Sequence, residues 1–258
     1  MQERIPYDSC PLCGSTDFRS MHVADCSAHV LYQAPLTPEI HWGKCNVCTH
    51  VFTNGYFTDE ACKIIFSRTH ENQKVGYDLE RQRIISSRIV EKVLPYVSEG
   101  NWLDVGFGNG ALLFTAQEYG FTAIGADLRI DNVDIIKSRG LQAYCLDLTE
   151  LQLDGACAVI SMADVLEHMP FPKQGLQAAH RMLSSGGVLF VSMPNSESVL
   201  WDVLTLNDAN PYWEELEHYH NFSRSRLYEL LKETGFEPVR YSVSERYRAC
   251  MEVIALKK

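Results

Sequence analysis

The chain has 258 residues, of which 46% are hydrophobic, and a formal net charge of −10 at pH 7. This length suits one large α/β domain with a small additional domain. No stretch has the roughly 18 to 20 consecutive apolar residues that span a bilayer, and the acidic charge disfavours tight binding of nucleic-acid phosphates. The N-terminal sequence MQERIPYDSCPLC lacks the apolar core of a secretory signal, so we expect a cytoplasmic protein whose nine cysteines stay reduced.

The first part of the chain, residues 1 to about 55, is rich in cysteine, histidine, proline and glycine and contains two CxxC pairs. The pairs are CPLC and CNVC, which contain Cys10, Cys13, Cys45 and Cys48. Two thiolates from one tight turn can reach the same ion, and two such turns complete a tetrahedral zinc site. Because four thiolates close the coordination sphere, the predicted zinc is structural. The alternatives are four buried cysteines in a small core, or one substitute ligand from His22, Cys26, His29 and His41.

Apolar residues at helical spacing predict a helix over residues 79–97, with Leu79, Ile84, Ile85, Ile89 and Val93 on its buried face. From about residue 100 short apolar runs alternate with amphipathic stretches, which is typical of a parallel sheet. The predicted strands are 101–107, 122–128, 142–148, 157–165 and 187–193, with helices between them. Two more strands, 237–246 and 250–258, are separated only by a turn and should pair antiparallel.

These elements predict an α/β fold: a seven-stranded, Rossmann-like, mostly parallel sheet whose last strand is antiparallel, with a small N-terminal zinc-binding domain. We place the zinc-binding domain and a linker in residues 1–75, and the α/β domain in residues 76–258.

The segment LDVGFGNG joins the first predicted strand of the sheet to a helix that starts near NGALLF. Glycines at positions 106, 108 and 110 let the backbone turn tightly and approach a ligand at the carboxyl end of a parallel strand. A dinucleotide loop would read GxGxxG. This loop reads GxGxG and has Asp104 two residues before its first glycine, so it fits a pyrophosphate less well.

Acidic residues mark the ends of three successive predicted strands: Asp104, Asp127 in IGADLR and Asp147 in CLDLT. A carboxylate at the second strand end can accept hydrogen bonds from both ribose hydroxyls, and one at the third can meet an adenine amino group. Taken singly, such an acid is more often a turn or helix-capping residue. Together the three predict a nucleoside site.

Over residues 78 to 258 the sequence resembles the class I S-adenosylmethionine-dependent methyltransferases. The resemblance rests on LDVGFGNG, GADL, CLDL, VISMADVLEHMPFP and SSGGVLFVSMPN, which occur in the order and spacing of that family. It implies S-adenosylmethionine as the cofactor. The residues that it assigns to the cofactor are Asp104, Gly106, Phe107, Gly108 and Gly110 at the methionine end, Asp127 and Leu128 at the ribose, Asp147 and Leu148 at the adenine, and Met162 and Ala163 on the other side.

Transfer to an alcohol requires a base that takes the hydroxyl proton. Two clusters offer one: LEHMP, with Glu167 and His168, and ELEHYHNFS, with Glu215, Glu217, His218 and His220. The second cluster lies beside Tyr212, Trp213 and Tyr219 and suits a polar, ring-shaped ligand. In both clusters the alternative is that the histidines only pack the loop or cap the following helix.

The four-cysteine segment, the class I core and the late Glu-His pair together resemble sugar methyltransferases of deoxysugar and polysaccharide pathways. In the C-methylating members, a histidine in the fourth-strand motif and a Glu-His pair line the sugar site, and His168, Glu217 and His218 hold the matching positions. Those members continue into a further C-terminal domain, whereas this sequence ends at Lys258. We therefore expect O-methylation of a sugar, a glycan or another small hydroxylated acceptor, with C-methylation as an alternative.

Two further classes remain as alternatives. Some RNA methyltransferases also pair an N-terminal zinc module with this core, but Arg4, Arg19 and Lys44 are the only basic residues of the first 55, which disfavours an RNA-binding face. The other class is a non-catalytic binding protein with a degenerate core.

Overall fold

The computed structural model describes residues 2–247 and 249–258, and the chain folds into two compact units. The first unit consists of Met1–His70, Glu167–Lys173 and Pro194–Leu230. The second consists of Glu71–Leu166, Gln174–Met193 and Leu231–Lys258. Each unit therefore contains segments that are distant in sequence.

The described residues form thirteen strands and seven α-helices. The strands are β1 (Arg4–Pro6), β2 (Phe18–Asp25), β3 (Glu39–Cys45), β4 (Val51–Thr53), β5 (Gly55–Phe57), β6 (Asn101–Val105), β7 (Thr122–Ala126), β8 (Gln142–Tyr144), β9 (Cys157–Ala163), β10 (Leu183–Pro194), β11 (His220–Asn221), β12 (Phe236–Val243) and β13 (Cys250–Lys257). The helices are α1 (Asp59–Ile65), α2 (Leu79–Val93), α3 (Ala111–Glu118), α4 (Ile130–Ser138), α5 (Pro172–Met182), α6 (Val199–Leu206) and α7 (Arg224–Glu233). A helix able to cross a membrane is absent from the part of the chain that the structure describes.

The second unit is built on a seven-stranded sheet with the order β12-β13-β10-β9-β6-β7-β8. The strands from β10 to β8 pair in parallel, and β12 pairs antiparallel with β13. Nearly every residue of β6 and β9 is buried, because helices cover both faces of such a sheet and exclude water from its side chains. The predicted α/β fold with a mostly parallel seven-stranded sheet is confirmed.

One core cluster of this unit joins α2 and α3 to the sheet. Trp102 of β6 is fully buried at its centre and meets Phe121 edge to face, with 5.0 Å between the ring centroids. The buried face of α2 is formed by Ser86, Ile89 and Val90 together with Val93.

Two details of the sequence prediction are wrong. Ile84 is 57% exposed, because the buried face of α2 is offset from it around the helix axis. The connection between β8 and β9 holds only a single 3-10 turn, Leu148–Glu150, where we expected a helix.

The first unit is mainly antiparallel. Its four-stranded sheet has the order β11-β4-β3-β2, and β1 pairs with β5. Trp42 is buried in the core, and its indole N–H donates to the main-chain carbonyl of Trp213 (2.9 Å). Trp213 and Tyr219 are also part of this core, so they stabilise the unit by packing.

Candidate functional site

The four cysteines of the CxxC pairs come together in the first unit. Their sulfur atoms lie within 4.8 Å of one another, and the Cys10–Cys48 and Cys13–Cys45 separations are each 3.6 Å. Tetrahedral geometry with zinc–sulfur bonds of about 2.3 Å gives sulfur separations of about 3.8 Å, so the group matches a zinc site.

The turns around these cysteines are shaped for ion binding. Gly14 and Thr49 take positive φ values, 74° and 62°, where each CxxC turn closes. The amide of Cys48 points at the sulfur of Cys45 (3.5 Å). Although burial raises the pKa of Cys45, hydrogen bonds from the amides of Cys48 and Val47 lower it to about 7, which favours the thiolate at this residue. Burial raises the pKa of Cys10 to about 11 and also raises that of Cys48.

The residues considered as substitute zinc ligands have other contacts. His22 packs on Trp213, the ring of His41 contacts Glu39, and Cys26 is buried in the core of the unit. His29 Nε2 lies 2.6 Å from Glu215 Oε1. The cysteine group therefore consists of the four CxxC residues alone within the described part of the chain.

The glycine loop of the second unit runs from the end of β6 to the start of α3. Gly106, Gly108 and Gly110 all have positive φ values, of 63°, 50° and 80°. A Cβ at Gly106 would lie 2.7 Å from the side chain of Val165, and one at Gly110 would lie 2.8 Å from Phe114. The loop thus requires glycine both for its backbone conformation and for space.

Asp104 is a buried acid at the end of β6 and is held by a chain of hydrogen bonds. The Trp102 indole donates to Ser161 Oγ (2.8 Å), and that hydroxyl donates to Asp104 Oδ1 (2.6 Å). Burial raises the pKa of Asp104 to about 7, against the lowering effects of Ser161 and Arg246. Sequence reasoning missed Ser161, because an apolar strand gives no sign of which interior hydroxyl faces an acid.

A cavity borders Asp104 in this unit. The residues that line it come from α2, β6, the glycine loop, the start of α3, the end of β9 and the β12–β13 connection: Gln82, Ile85, Ser86, Ile89, Asp104, Gly106, Phe107, Asn109, Ala111, Leu112, Ala163 and Arg246. Asp104 and Arg246 therefore present opposite charges to the same cavity. The neighbouring Met162 is fully buried in the sheet.

Asp127 directly follows β7 and is also buried. Its two carboxylate oxygens accept hydrogen bonds from the main-chain amides of Gly108 (3.0 Å) and Arg129 (2.8 Å). The bond from Gly108 connects the glycine loop to the end of the next strand. Beside it Leu128 is 65% exposed and offers an apolar surface next to the carboxylate.

Asp147 lies three residues beyond β8, where its carboxylate caps the 3-10 turn by accepting the amide of Thr149 (2.8 Å). Leu148 is buried, whereas Leu146 is 41% exposed. The Cys145 thiol donates to the carbonyl of Leu128 (3.6 Å), so the loops after β7 and β8 are neighbours. Leu146 was missed because exposure within a loop leaves no periodic signal.

The first unit contains a second cluster of ionisable side chains, which we call the histidine cluster: Glu167, His168 and His218. One ligand-type atom from each lies within 4.8 Å of the others. The rings of His168 and His218 meet edge to face with centroids 4.6 Å apart, and Tyr212 is nearly parallel to His218 at 6.4 Å. Burial, together with the nearby His168, lowers the pKa of His218 to about 3, so His218 is neutral at physiological pH. Glu167, which directly precedes His168 in the LEHMP segment, is buried in this cluster.

His168 and His220 differ in their hydrogen bonds. His168 Nδ1 lies 3.1 Å from the main-chain carbonyl of Glu217 and can donate to it. His220 is fully buried, and its Nε2 and Nδ1 contact the carbonyl of Met169 (2.9 Å) and His50 Nε2 (3.0 Å). Both nitrogens of His220 are therefore used inside the unit.

Known proteins resemble this chain in sequence and in fold. A family model described as a methyltransferase domain matches residues 77–241. The ubiquinone biosynthesis O-methyltransferase of Pectobacterium atrosepticum is 28% identical over 140 residues, which cover 48% of this chain and 58% of that protein. The chain thus spans less than two thirds of that curated relative.

Two solved structures illustrate the shared fold. The 1,6-didemethyltoxoflavin-N1-methyltransferase of Burkholderia thailandensis, with bound S-adenosylhomocysteine, aligns with a TM-score of 0.60 at 19% identity, covering 81% of this chain and 96% of that one. A methyltransferase of Thermotoga maritima, described as a possible histamine N-methyltransferase, aligns with a TM-score of 0.54 at 20% identity, covering 70% of this chain and 92% of that one.

The sheet order and the glycine loop agree with these matches to methyltransferase-domain proteins. Since the family model covers more than half of the chain, the protein belongs to the methyltransferase domain family. The chemistry of the donor set fits the cofactor: a buried carboxylate and a guanidinium at one cavity suit an ammonium and a carboxylate, and Asp127 beside exposed Leu128 suits a ribose next to an apolar base.

Proposed function

We propose that the protein transfers the methyl group of S-adenosylmethionine to a hydroxyl oxygen of a small acceptor, a sugar or another small hydroxylated molecule. The observation that carries this proposal is the contact between the rings of His168, which is partly buried, and His218, which is buried. His168 lies five residues after the end of β9 along the chain. The named O-methyltransferase among the relatives supports oxygen as the acceptor atom, and the net charge of −10 supports a small molecule over RNA.

His168 is the base in this proposal. Its Nδ1–H is directed to the carbonyl of Glu217, which leaves the Nε2 lone pair to take the acceptor's proton. The neighbouring His218 is neutral, so it does not repel the positive charge that His168 gains. Glu217 contributes through its main chain, by orienting the imidazole.

We assign His220 a structural role. Its two nitrogens join the carbonyl of Met169 to His50, which holds the segment after the histidine cluster in place. A base needs a lone pair directed at the acceptor, and His220 has neither a free nitrogen nor exposure to solvent.

The second unit binds the cofactor in this proposal. When bound, S-adenosylmethionine supplies an electrophilic methyl group on a sulfonium that leaves as a neutral thioether. Asp104 accepts hydrogen bonds from the ammonium, and Asp127 accepts them from the ribose hydroxyls. Gly106, Gly108 and Gly110 let the backbone approach, while Ala163 borders the methionine end.

The adenine end is proposed to lie against the loops after β7 and β8. Leu128 and Leu146 offer exposed apolar surface there, and Asp147 holds the second loop by capping its turn. Leu148 and Phe107 support these loops from the buried side.

We further propose that Cys10, Cys13, Cys45 and Cys48 bind one structural zinc ion. The support is the spacing of their sulfur atoms and the amide directed at Cys45, since four thiolates leave no position for substrate.

The experiment is to incubate the protein with S-adenosylmethionine labelled with ¹³C at its methyl group and a panel of free sugars, nucleotide-linked sugars, phenols and an RNA hairpin. We expect an O-methyl carbon resonance from one of the small-molecule classes. A C-methyl product, or methylation of the RNA alone, would contradict the proposal.

Variants of His168 test the proposed base with whichever acceptor is methylated. His168→Gln should lower kcat by about 10²- to 10⁴-fold, the contribution of a positioned base. Its affinity for S-adenosylhomocysteine, measured by calorimetry, should be unchanged. The matched control is His41→Ala, which removes an exposed histidine whose ring contacts Glu39. An unchanged kcat in His168→Gln would exclude His168 as the base.

A further inference from the structure

Arg246 lies in the connection between β12 and β13, far in sequence from the glycine loop, and belongs to none of the motifs that identify the family. It lines the same cavity as Asp104, Gly106 and Ala163. The final hairpin therefore contributes a cation to a cavity whose other charged group is a carboxylate.

The guanidinium is held in place by Asp164. Arg246 Nη2 lies 3.1 Å from Asp164 Oδ2, and the other oxygen of Asp164 accepts from the Ser192 hydroxyl (3.2 Å). Asp164 directly follows β9 and adopts a positive φ of 57°, which is uncommon for a residue other than glycine. A strained aspartate at the end of a central strand thus anchors the arginine beside the cavity.

The ion pair with Asp164 does not use all the hydrogen-bond donors of the Arg246 guanidinium. A guanidinium has five N–H groups, and a single carboxylate oxygen at 3.1 Å uses only part of that set. The Arg246 side chain is 24% exposed, so the remaining donors can reach a ligand in the cavity.

The charges at this cavity match an amino-acid zwitterion. Arg246 is close enough to Asp104 for its charge to lower the pKa of that acid. An ammonium group at Asp104 and a carboxylate at Arg246 would each find a partner of opposite charge. The two groups are attached to the same carbon in the methionine part of the cofactor.

We propose that Arg246 binds the α-carboxylate of the methionine moiety of S-adenosylmethionine, an inference that rests on the proposed function. The protein then distinguishes the complete cofactor from a molecule that carries the ammonium alone. In this assignment Asp164 positions the guanidinium and Asp104 holds the neighbouring ammonium.

The experiment compares two ligands by isothermal titration calorimetry: S-adenosylhomocysteine and its decarboxylated analogue, which keeps the ammonium group. Wild-type protein should bind S-adenosylhomocysteine about 10- to 100-fold more tightly, the range expected for charge-assisted hydrogen bonds. Arg246→Gln should lose that preference by weakening the binding of S-adenosylhomocysteine while leaving the affinity for the analogue unchanged.

Two controls complete the design. Arg240→Gln changes an arginine of β12 that does not line the cavity, and it should keep the wild-type preference. Arg246→Lys keeps the charge without the fork of donors and should retain part of the preference. If Arg246→Gln weakens both ligands equally, or neither, Arg246 does not bind the carboxylate and the proposal fails.

Discussion

At the residue scale, the buried carboxyl of Asp104 predicts that cofactor binding depends on the pH of the medium. The carboxyl is buried and accepts one hydrogen bond from Ser161, while Arg246 and Asp127 act on it with opposite charges. Burial outweighs these contacts and raises the pKa to about 7, so the free protein holds a mixture of the acid and its anion near neutral pH. Only the anion can accept hydrogen bonds from an ammonium group with both oxygens.

We therefore expect the affinity for S-adenosylhomocysteine to rise with pH. Below a pKa of about 7, binding must first remove a proton from Asp104, so the dissociation constant should be about tenfold higher at pH 6 than at pH 8. Calorimetry across this range measures the profile. Asp104→Asn should bind weakly and with a flat profile between pH 6 and 8, and a wild-type profile equally flat would show that Asp104 does not titrate on binding.

At the scale of elements, the connection from β6 to α3 fixes where a ligand can meet the backbone. Its three glycines have positive φ values, and two of them face neighbouring side chains closely: Val165 opposite Gly106 and Phe114 opposite Gly110. The loop is also tied to β7, because Gly106 donates to the carbonyl of Ala126 (2.7 Å) and Gly108 to Asp127. A substitution that alters the conformation of the loop should therefore alter the positions of both Asp104 and Asp127.

Gly110→Ala tests this element, with Gly140→Ala as its matched control. The two glycines have φ values of 80° and 81°, so an alanine at either costs about 1–2 kcal/mol of backbone strain. Only at Gly110 does the new Cβ also meet Phe114, whereas no atom lies within 4 Å of it at Gly140. We expect a loss of stability in thermal denaturation for both variants, larger in Gly110→Ala, and a loss of S-adenosylhomocysteine affinity in Gly110→Ala alone. Equal affinity in both variants would mean that the loop conformation tolerates the added carbon.

At the scale of the whole molecule, the chain divides into a parallel-sheet unit and a mainly antiparallel unit. Both units have an apolar core, around Trp102 in the parallel unit and around Trp42 in the antiparallel unit, and the antiparallel unit also contains the four-cysteine group. A metal held by residues that are far apart in sequence adds its binding free energy to the folding of the unit that holds it. The consequence of metal loss should therefore be concentrated in the first unit.

The change that tests this dependence is Cys13→Ser. Cys13 is exposed, so its replacement removes a proposed ligand without opening a cavity in the core. Native mass spectrometry should find one zinc per chain in wild-type protein and none in the variant. Hydrogen exchange should become faster around β2, β3 and β4 and stay unchanged in β6 and β9. Cys145→Ser, a change outside the group, should keep the zinc, and a metal-free but equally protected Cys13→Ser protein would exclude a stabilising role.

The sequence by itself determined the fold class, the strands of the seven-stranded sheet and the grouping of the four cysteines. These features are local patterns that can be recognised directly in the linear sequence: alternating apolar runs, glycines at fixed spacing and paired thiols. The prediction of a helix between β8 and β9 is wrong because the sequence of this connection carries no clear signal that distinguishes a loop from a helix. The prediction that Ile84 is buried is wrong because periodicity does not fix which side of a helix meets the sheet.

Only the tertiary structure decided which side chains share a site. Ser161 beside Asp104, Arg246 at the same cavity, and His220 bonded through both nitrogens to Met169 and His50 are contacts between residues distant in sequence. Such contacts depend on how strands and loops are brought together in space, and burial then sets the pKa values that a sequence cannot reveal. The raised pKa of Asp104 therefore depends on the residues that are packed around it, and not on the motif that contains it.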